Sequence, residues 1–192
     1  MNRADRKLWA SARALTDLGD LTARWLEGGI KSVPGYCGAP AEETTELIPV
    51  LAACNRAGFV TDSSQPGRTG YGWSQRAAVC GFVTPGTWVR LWAATEGLPL
   101  IRSAVRSTRW RIRYKTAFPV TRCGGTVFTR FGATLSRRHL TDSWTGYGIC
   151  HPDAVAAVCD AWQVTLIDTE WGREDSPLWP ALAAFAGLVV AL

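Results

Sequence analysis

The sequence has no pair of cysteines in a Cys-x-x-Cys spacing, and its two histidines, His139 and His151, stand in no HxxxH or HxE arrangement. Those absences remove the sequence signatures of a zinc knuckle and of a metal-hydrolase helix. The six cysteines, Cys37, Cys54, Cys80, Cys123, Cys150 and Cys159, are scattered along the chain, so reduced, small and mostly buried side chains are expected instead of a disulfide framework. Cys150 and His151 are chain neighbours, but a catalytic pair needs a spatial geometry that adjacency does not supply. His151 is expected to be structural or solvent-facing. The strings GRTGYG and CGGT lack the Lys-Ser/Thr of a phosphate-binding loop and the GxGxxG of a dinucleotide fold, and read as plain loops. No internal repeat, low-complexity tract or linker interrupts the chain.

Long apolar runs are also missing. MNRADRKLWASARAL is charged and then amphipathic, unlike a secretory leader, and a cytoplasmic protein is expected. WPALAAFAGLVVAL falls short of the ~20 residues that span a bilayer, reads as a buried helix, and leaves no membrane role expected.

What is present is enough apolar surface for one domain spanning 1–192: 47% of residues are hydrophobic and 19% charged, so net charge is too small to hold the chain open. The formal charge of +5 favours an anionic partner at long range but specifies none, and nucleic acid is not the expected partner. Apolar residues between Arg6 and Leu26 recur at three- and four-residue spacings, which predicts one helix or two joined near Gly19. The glycines and prolines of 28–40 predict a loop without regular structure. In PAEETTELIPVLAACNRAG, acidic residues crowd the first turn and Gly58 stands at the C-terminal cap position, while Pro49 predicts that Thr44 to Glu46 form a separate first turn. Strands are expected in FVTDSSQPG and over Gln75–Val83, then a helix over Gly86–Glu96. In IRSAVRSTRWRIRYKTAF the alternation of Arg109, Arg111, Arg113 and Lys115 with Trp110, Ile112 and Tyr114 predicts a half-buried strand. That basic face reads either as a phosphate-binding surface or as an edge strand protected by charge, and the second is preferred. Glycines 124, 125, 132, 146 and 148 divide the middle into short strands and loops. Asp153–Ala161 reads as a helix, Trp162–Asp168 as the last strand, and SPLWP as the start of a final helix.

The run AEETTELIPVLAACNRAGFVTDSSQPG places an acid-Thr pair (Glu43, Thr44) at a helix start, Asn55, Arg56 and Gly58 at its end, and Thr61, Ser64, Gln65 and Pro66 on the following strand. SQRAAVCGF follows, and VTLIDTEW with SPLWPAL lies near the end. In that order these patches resemble the C-terminal regulatory domain of eukaryotic-type methylenetetrahydrofolate reductase, over Pro40–Val83 and Trp162–Leu182. The reductase's catalytic barrel has no counterpart here. The resemblance implies an α+β fold of mixed, mainly antiparallel sheets flanked by helices. It implies binding of S-adenosylmethionine or S-adenosylhomocysteine, with Glu43, Thr44, Thr61 and Ser64 as ligand residues and Thr129 and Thr141 as further candidates from the less similar middle. No metal is implied. The stand-alone module would be a sensing or regulatory one that serves a protein partner or a homo-oligomer.

Such a ligand asks for a few placed polar groups in a largely apolar pocket: Glu43 to accept from ribose hydroxyls or the ammonium, and Thr44, Thr61 and Ser64 hydroxyls to donate or accept. The same residues also read blandly, as a helix cap, a β-propensity threonine and turn chemistry. Two other function classes stay open. One is an enzyme consuming S-adenosylmethionine, with Glu43 or the carboxylates Asp168, Glu170, Glu174 and Asp175 as acid or base. The other is an interaction module that has lost the ligand.

Overall fold

Two helices open the chain, and the break between them is written locally. The computed structural model describes residues 1–34, 36–145 and 149–188, apart from the side chains of Cys37, Trp144 and Thr145. Helix α1 (Arg3–Ser11) is capped by Asn2, whose Oδ1 accepts from the Asp5 amide at 2.8 Å, and α2 (Leu15–Leu26) begins where the Asp17 carboxylate accepts from the Arg13 and Ala14 amides. The junction therefore lies at 12–14 and not at Gly19. Gly19 sits inside α2 because α3 (Ile48–Arg56) crosses there: a Cβ on Gly19 would lie 2.4 Å from the Asn55 carbonyl oxygen. The connecting segment carries a minimal antiparallel ladder, β1 (Ser32–Val33) with β2 (Tyr36–Cys37), where a structureless loop was expected. Trp9, fully buried, donates its indole N–H to the Ser32 carbonyl at 3.0 Å and ties this ladder to α1.

Ahead of α3 the chain winds a separate 3-10 turn, Glu42–Leu47, as Pro49 predicts, because a proline is tolerated only in the first turn of the α-helix that follows. Strand β3 (Val60–Gln65) then starts the central sheet. The span expected as one strand over Gln75–Val83 is broken at Arg76–Ala77: Gln75 ends β5 (Trp73–Gln75), which with β4 (Thr69–Gly70) belongs to a second sheet, and β6 (Ala78–Val83) belongs to the first. Helix α4 (Pro85–Thr95), capped by the Thr84 hydroxyl, leads into β7 (Leu100–Arg106). The hairpin β8 (Phe118–Cys123) and β9 (Thr126–Phe131) follows, then α5 (Arg137–Thr145), α6 (Pro152–Asp160), β10 (Trp162–Asp168) and α7 (Leu178–Phe185).

The result is an α+β fold with two four-stranded sheets, ordered β3-β6-β10-β7 and β4-β5-β8-β9, antiparallel throughout among the described strands. One face of the central sheet presents Val79, Val83, Val164 and Leu166 to α3, α4 and α7. From the opposite side Ala78 and Ile167 meet Val120 of the second sheet. A second core joins α1, α2, α5 and α6 through Trp9, Leu18, Leu140 and Val158. Each fully buried leucine of these cores contributes about 1.5–3 kcal/mol. Among the described residues no helix is long and apolar enough to cross a membrane.

Two expectations are overturned here. Residues 107–113 form no strand: isolated bridges join Thr108 to Ser136 and Arg113 to Thr134, a 3-10 turn spans Tyr114–Thr116, and Trp110 and Tyr114 are 64% and 71% exposed. Alternation alone does not supply a strand with a neighbour to pair with. Helix α5 was not expected, because beyond the buried Leu140 its described side chains are exposed and no apolar stripe marks it.

Candidate ligand-binding site

Five of the six residues singled out in the sequence line one cavity of about 460 Å3 between the two sheets, a volume within the ~300–1,000 Å3 range of small-molecule sites. Glu43 and Thr44 come from the 3-10 turn, Thr61 and Ser64 from β3, and Thr129 from β9 of the second sheet. Thr44 is nearly buried, Thr61, Ser64 and Thr129 are half-buried, and Glu43 is exposed. Thr141 is the exception. It lies on α5, which packs against α6, and its hydroxyl is 3.8 Å from the Cys159 sulfur, outside this cavity wall.

The end of α3 sets the position of Thr61. Asn55, fully buried, donates from Nδ2 to the Leu51 carbonyl at 2.8 Å and to Thr61 Oγ1 at 2.7 Å, and accepts from the Thr61 amide at 3.0 Å. Because Thr61 Oγ1 accepts from Asn55, its proton is left to donate elsewhere. Gly58, at φ +94°, makes the turn between helix and strand that an L side chain resists. Strand β3 then bulges: its register against β6 shifts between Thr61 and Ser63, so Asp62 is the extra residue and its side chain is re-aimed. Gly81 permits this, since a Cβ there would lie 2.2 Å from the Val60 carbonyl oxygen.

Gln65, inside the Ser-Gln-Pro motif, turns out to be structural. Its Nε2 donates to the carbonyls of Arg76 and Val120, at 2.9 and 2.8 Å, and its Oε1 accepts from the Thr121 hydroxyl at 3.0 Å. One buried amide thus binds β3 of the central sheet to β8 of the second, at the point where the chain crosses from β5 to β6. Gln75 closes the wall beside it: Nε2 reaches Glu43 Oε2 at 3.4 Å, while Oε1 is buried with no donor among the described residues. A buried acceptor without a donor costs about 1–3 kcal/mol, and in a cavity wall it is a place for a ligand N–H or O–H.

Sequence reasoning missed Asp62. It borders the main cavity and two neighbours of about 160 and 420 Å3, and its only sequence signal was its place inside Thr-x-x-Ser. Desolvation by the surrounding walls holds its carboxyl above the ordinary range, opposed by the Ser63 hydroxyl at 3.3 Å and by the charge of His139. The residue is nonetheless exposed to solvent, so the rise is a modest one. The neighbouring Cys80 thiol is pushed up to about 12, first by burial and further by the Asp62 charge, so it is an inert thiol and no nucleophile. Trp25, whose indole N–H donates to the Gly38 carbonyl at 2.9 Å, Phe128 and Phe131 give the cavity its aromatic surface.

The other groups weighed from the sequence have local duties. Asp168, fully buried, accepts from the Ser176 hydroxyl and the Glu170 amide and pairs with Arg173 at 3.5 Å, which ties β10 to the start of α7. Asp168, Glu170, Glu174 and Asp175 do not line the cavity. His151 caps α6, its Nδ1 accepting from the Asp153 amide at 3.2 Å. Cys54, Cys80, Cys123, Cys150 and Cys159 are free thiols.

The cavity thus combines hydroxyl groups, two carboxylates, an unpartnered acceptor and flat aromatic faces. That chemistry suits a molecule with hydroxyls, a cationic nitrogen or sulfur and a flat ring. The family described as a domain of unknown function, DUF6919, matches residues 4–187. No curated protein matches the chain.

Proposed function

We propose that this chain, which belongs to the DUF6919 family, binds S-adenosylmethionine or S-adenosylhomocysteine in the cavity between its two sheets, as a sensing or regulatory module. One observation carries the reading: residues drawn from three separate stretches by a resemblance to a regulatory domain line a single cavity with Trp25, Gln75 and Asp62. In this assignment the adenine lies against Trp25 or Phe128, and Glu43 and the Gln75 oxygen accept from ribose hydroxyls or the ammonium. Thr61 donates through the proton that Asn55 leaves free, Ser64 and Thr129 complete the polar wall, and Asp62 faces positive charge. The bound state is reported to a protein partner or to a second copy of the chain.

Calorimetric titration with both ligands tests this on the wild type and on Thr61→Ala/Ser64→Ala. Micromolar or tighter binding is expected, weakened about tenfold or more in the variant, since each lost hydrogen bond is worth roughly 1 kcal/mol. A folded wild type that takes up neither ligand sinks the reading.

One observation favours turnover as a second reading. Asp62 has its carboxyl held above the ordinary range beside the cavity, the condition that prepares a carboxylate for acid-base work. Chromatography of the ligand after incubation distinguishes the two: product that disappears with Asp62→Asn makes the protein an enzyme, and ligand recovered unchanged keeps it a binder.

A further inference from the structure

Charge along this chain is unevenly placed. Residues 97–141 contain ten lysines and arginines and no aspartate or glutamate, so the remainder of the chain is net acidic. Several of these cations are occupied. Arg102 stacks on Trp92 and donates to the Thr95 carbonyl, Arg106 meets the Asp160 carbonyl, Arg122 stacks on Trp171, and Arg137 pairs with Asp160. Four others stand together on the exposed segment 109–115. Arg109, Arg111, Arg113 and Lys115 have no carboxylate partner among the described residues, and between them Trp110 and Tyr114 are exposed.

This segment is held at both ends. The Thr108 amide donates to the Leu135 carbonyl at 3.1 Å and the Arg137 amide to the Thr108 carbonyl at 2.7 Å. Arg113 and Thr134 exchange backbone hydrogen bonds of 2.9 and 3.2 Å, and Thr116 Oγ1 accepts from the Thr134 amide. An edge strand shielded by lysine and arginine was the ordinary explanation for this composition. It does not apply, because the segment pairs into no sheet. Arg109 lies over the Trp110 ring at 4.9 Å, so cation and ring already form one exposed unit. Two large exposed aromatics and four cations without a carboxylate on an anchored loop are costly to display without a partner.

We propose that the loop at 109–115 is a binding site for single-stranded nucleic acid, with Arg109, Arg111, Arg113 and Lys115 on phosphates and Trp110 and Tyr114 stacking on bases. Interleaved cations and exposed rings are the combination that tracks a single strand without reading its sequence. A duplex groove is read by a helix or a two-stranded ribbon, and this loop is neither. An anionic membrane surface is met by a helix with a continuous apolar face, whereas here Ile112 is half-buried and the two exposed rings are separated along a non-helical segment. The proposal rests on this surface alone and is independent of the cavity.

Fluorescence polarisation of labelled single-stranded oligothymidine, titrated with full-length protein between about 50 and 200 mM salt, tests it. Binding is expected to weaken with salt at a log-log slope of about −3, from four phosphate contacts at roughly −0.7 each. Replacing Arg109, Arg111, Arg113 and Lys115 with alanine removes binding and flattens the slope. Trp110→Ala, which keeps every cation, weakens it about fivefold or more, and Trp110→Phe retains most of it. Melting curves check that the variants stay folded, as substitutions at exposed positions should. No binding at low salt, or binding indifferent to Trp110→Ala, overturns the proposal. So does uptake by phosphatidylcholine–phosphatidylserine vesicles when the oligonucleotide is ignored.

Discussion

Asp62 carries a penalty in the folded state that its position explains. Desolvation holds its carboxyl above the 3.8 of an unperturbed aspartate, so the folded chain binds that proton more tightly than the unfolded one. From about pH 3.8 upward, this residue's contribution to stability falls as pH rises through the folded-state value, and the full penalty is present above it. Asp62→Asn removes the penalty. It should melt slightly higher than wild type at neutral pH, with the gap closing toward pH 3.8, and calorimetric scans across that window check the sign. If Asp62 faces the sulfonium, the same variant weakens S-adenosylmethionine about tenfold or more, because charge-assisted contacts are worth roughly 1.5–3 kcal/mol, and leaves S-adenosylhomocysteine little changed. Equal losses would assign Asp62 to the ammonium that both ligands share, and no loss would remove it from the site. Residue roles were only partly legible in advance. Thr61 and Ser64 stood out in a motif, but Gln65 of that motif serves the sheets, while Asp62 entered the site through a bulge that depends on Gly81 and β6.

Among the elements, the crossing of α2 over α3 is the contact most sensitive to one atom. In an exposed helix Gly→Ala would gain about 1 kcal/mol. At Gly19 the added Cβ meets the Asn55 carbonyl at 2.4 Å, a backbone atom that no rotamer change can move, so overpacking at about 1–3 kcal/mol prevails. Gly19→Ala is expected to lower the melting temperature by several degrees, at roughly 2–4 °C per kcal/mol for a chain of this size. It should also weaken ligand binding, because Asn55 holds Thr61. A variant that melts higher than wild type would refute the close crossing. Elements with local signals were readable: the separate turn before α3 from Pro49, and α4, α6, β10 and α7 from periodicity and caps. Segment 107–116 misled because its alternation is real but pairing requires a neighbouring strand. Helix α5 was silent because its described side chains, Leu140 apart, face solvent.

Across the whole molecule, the cavity lies where two sheets are joined by Gln65 and the β5–β6 crossing, so a ligand there binds both sheets at once. Ligand at about a hundred times its dissociation constant stabilises the fold by roughly 2.7 kcal/mol. Hydrogen exchange should show slower exchange in β3 and in the β8–β9 hairpin together; protection confined to one sheet would place the ligand elsewhere. What the sequence determined by itself was the positions of most elements, because period, capping and turn chemistry act over a few neighbouring residues; the α+β class and the hydroxyl-bearing motif came from the resemblance of its patches to a regulatory domain. Only the tertiary structure decided that Glu43, Thr44, Thr61, Ser64 and Thr129 share a cavity and Thr141 does not. It also decided that the chain changes sheets at Arg76–Ala77 and that the basic segment stands unpaired. Each of those outcomes depends on which distant strand or helix closes against which, and that is set by packing and buried hydrogen bonds between residues far apart in the chain.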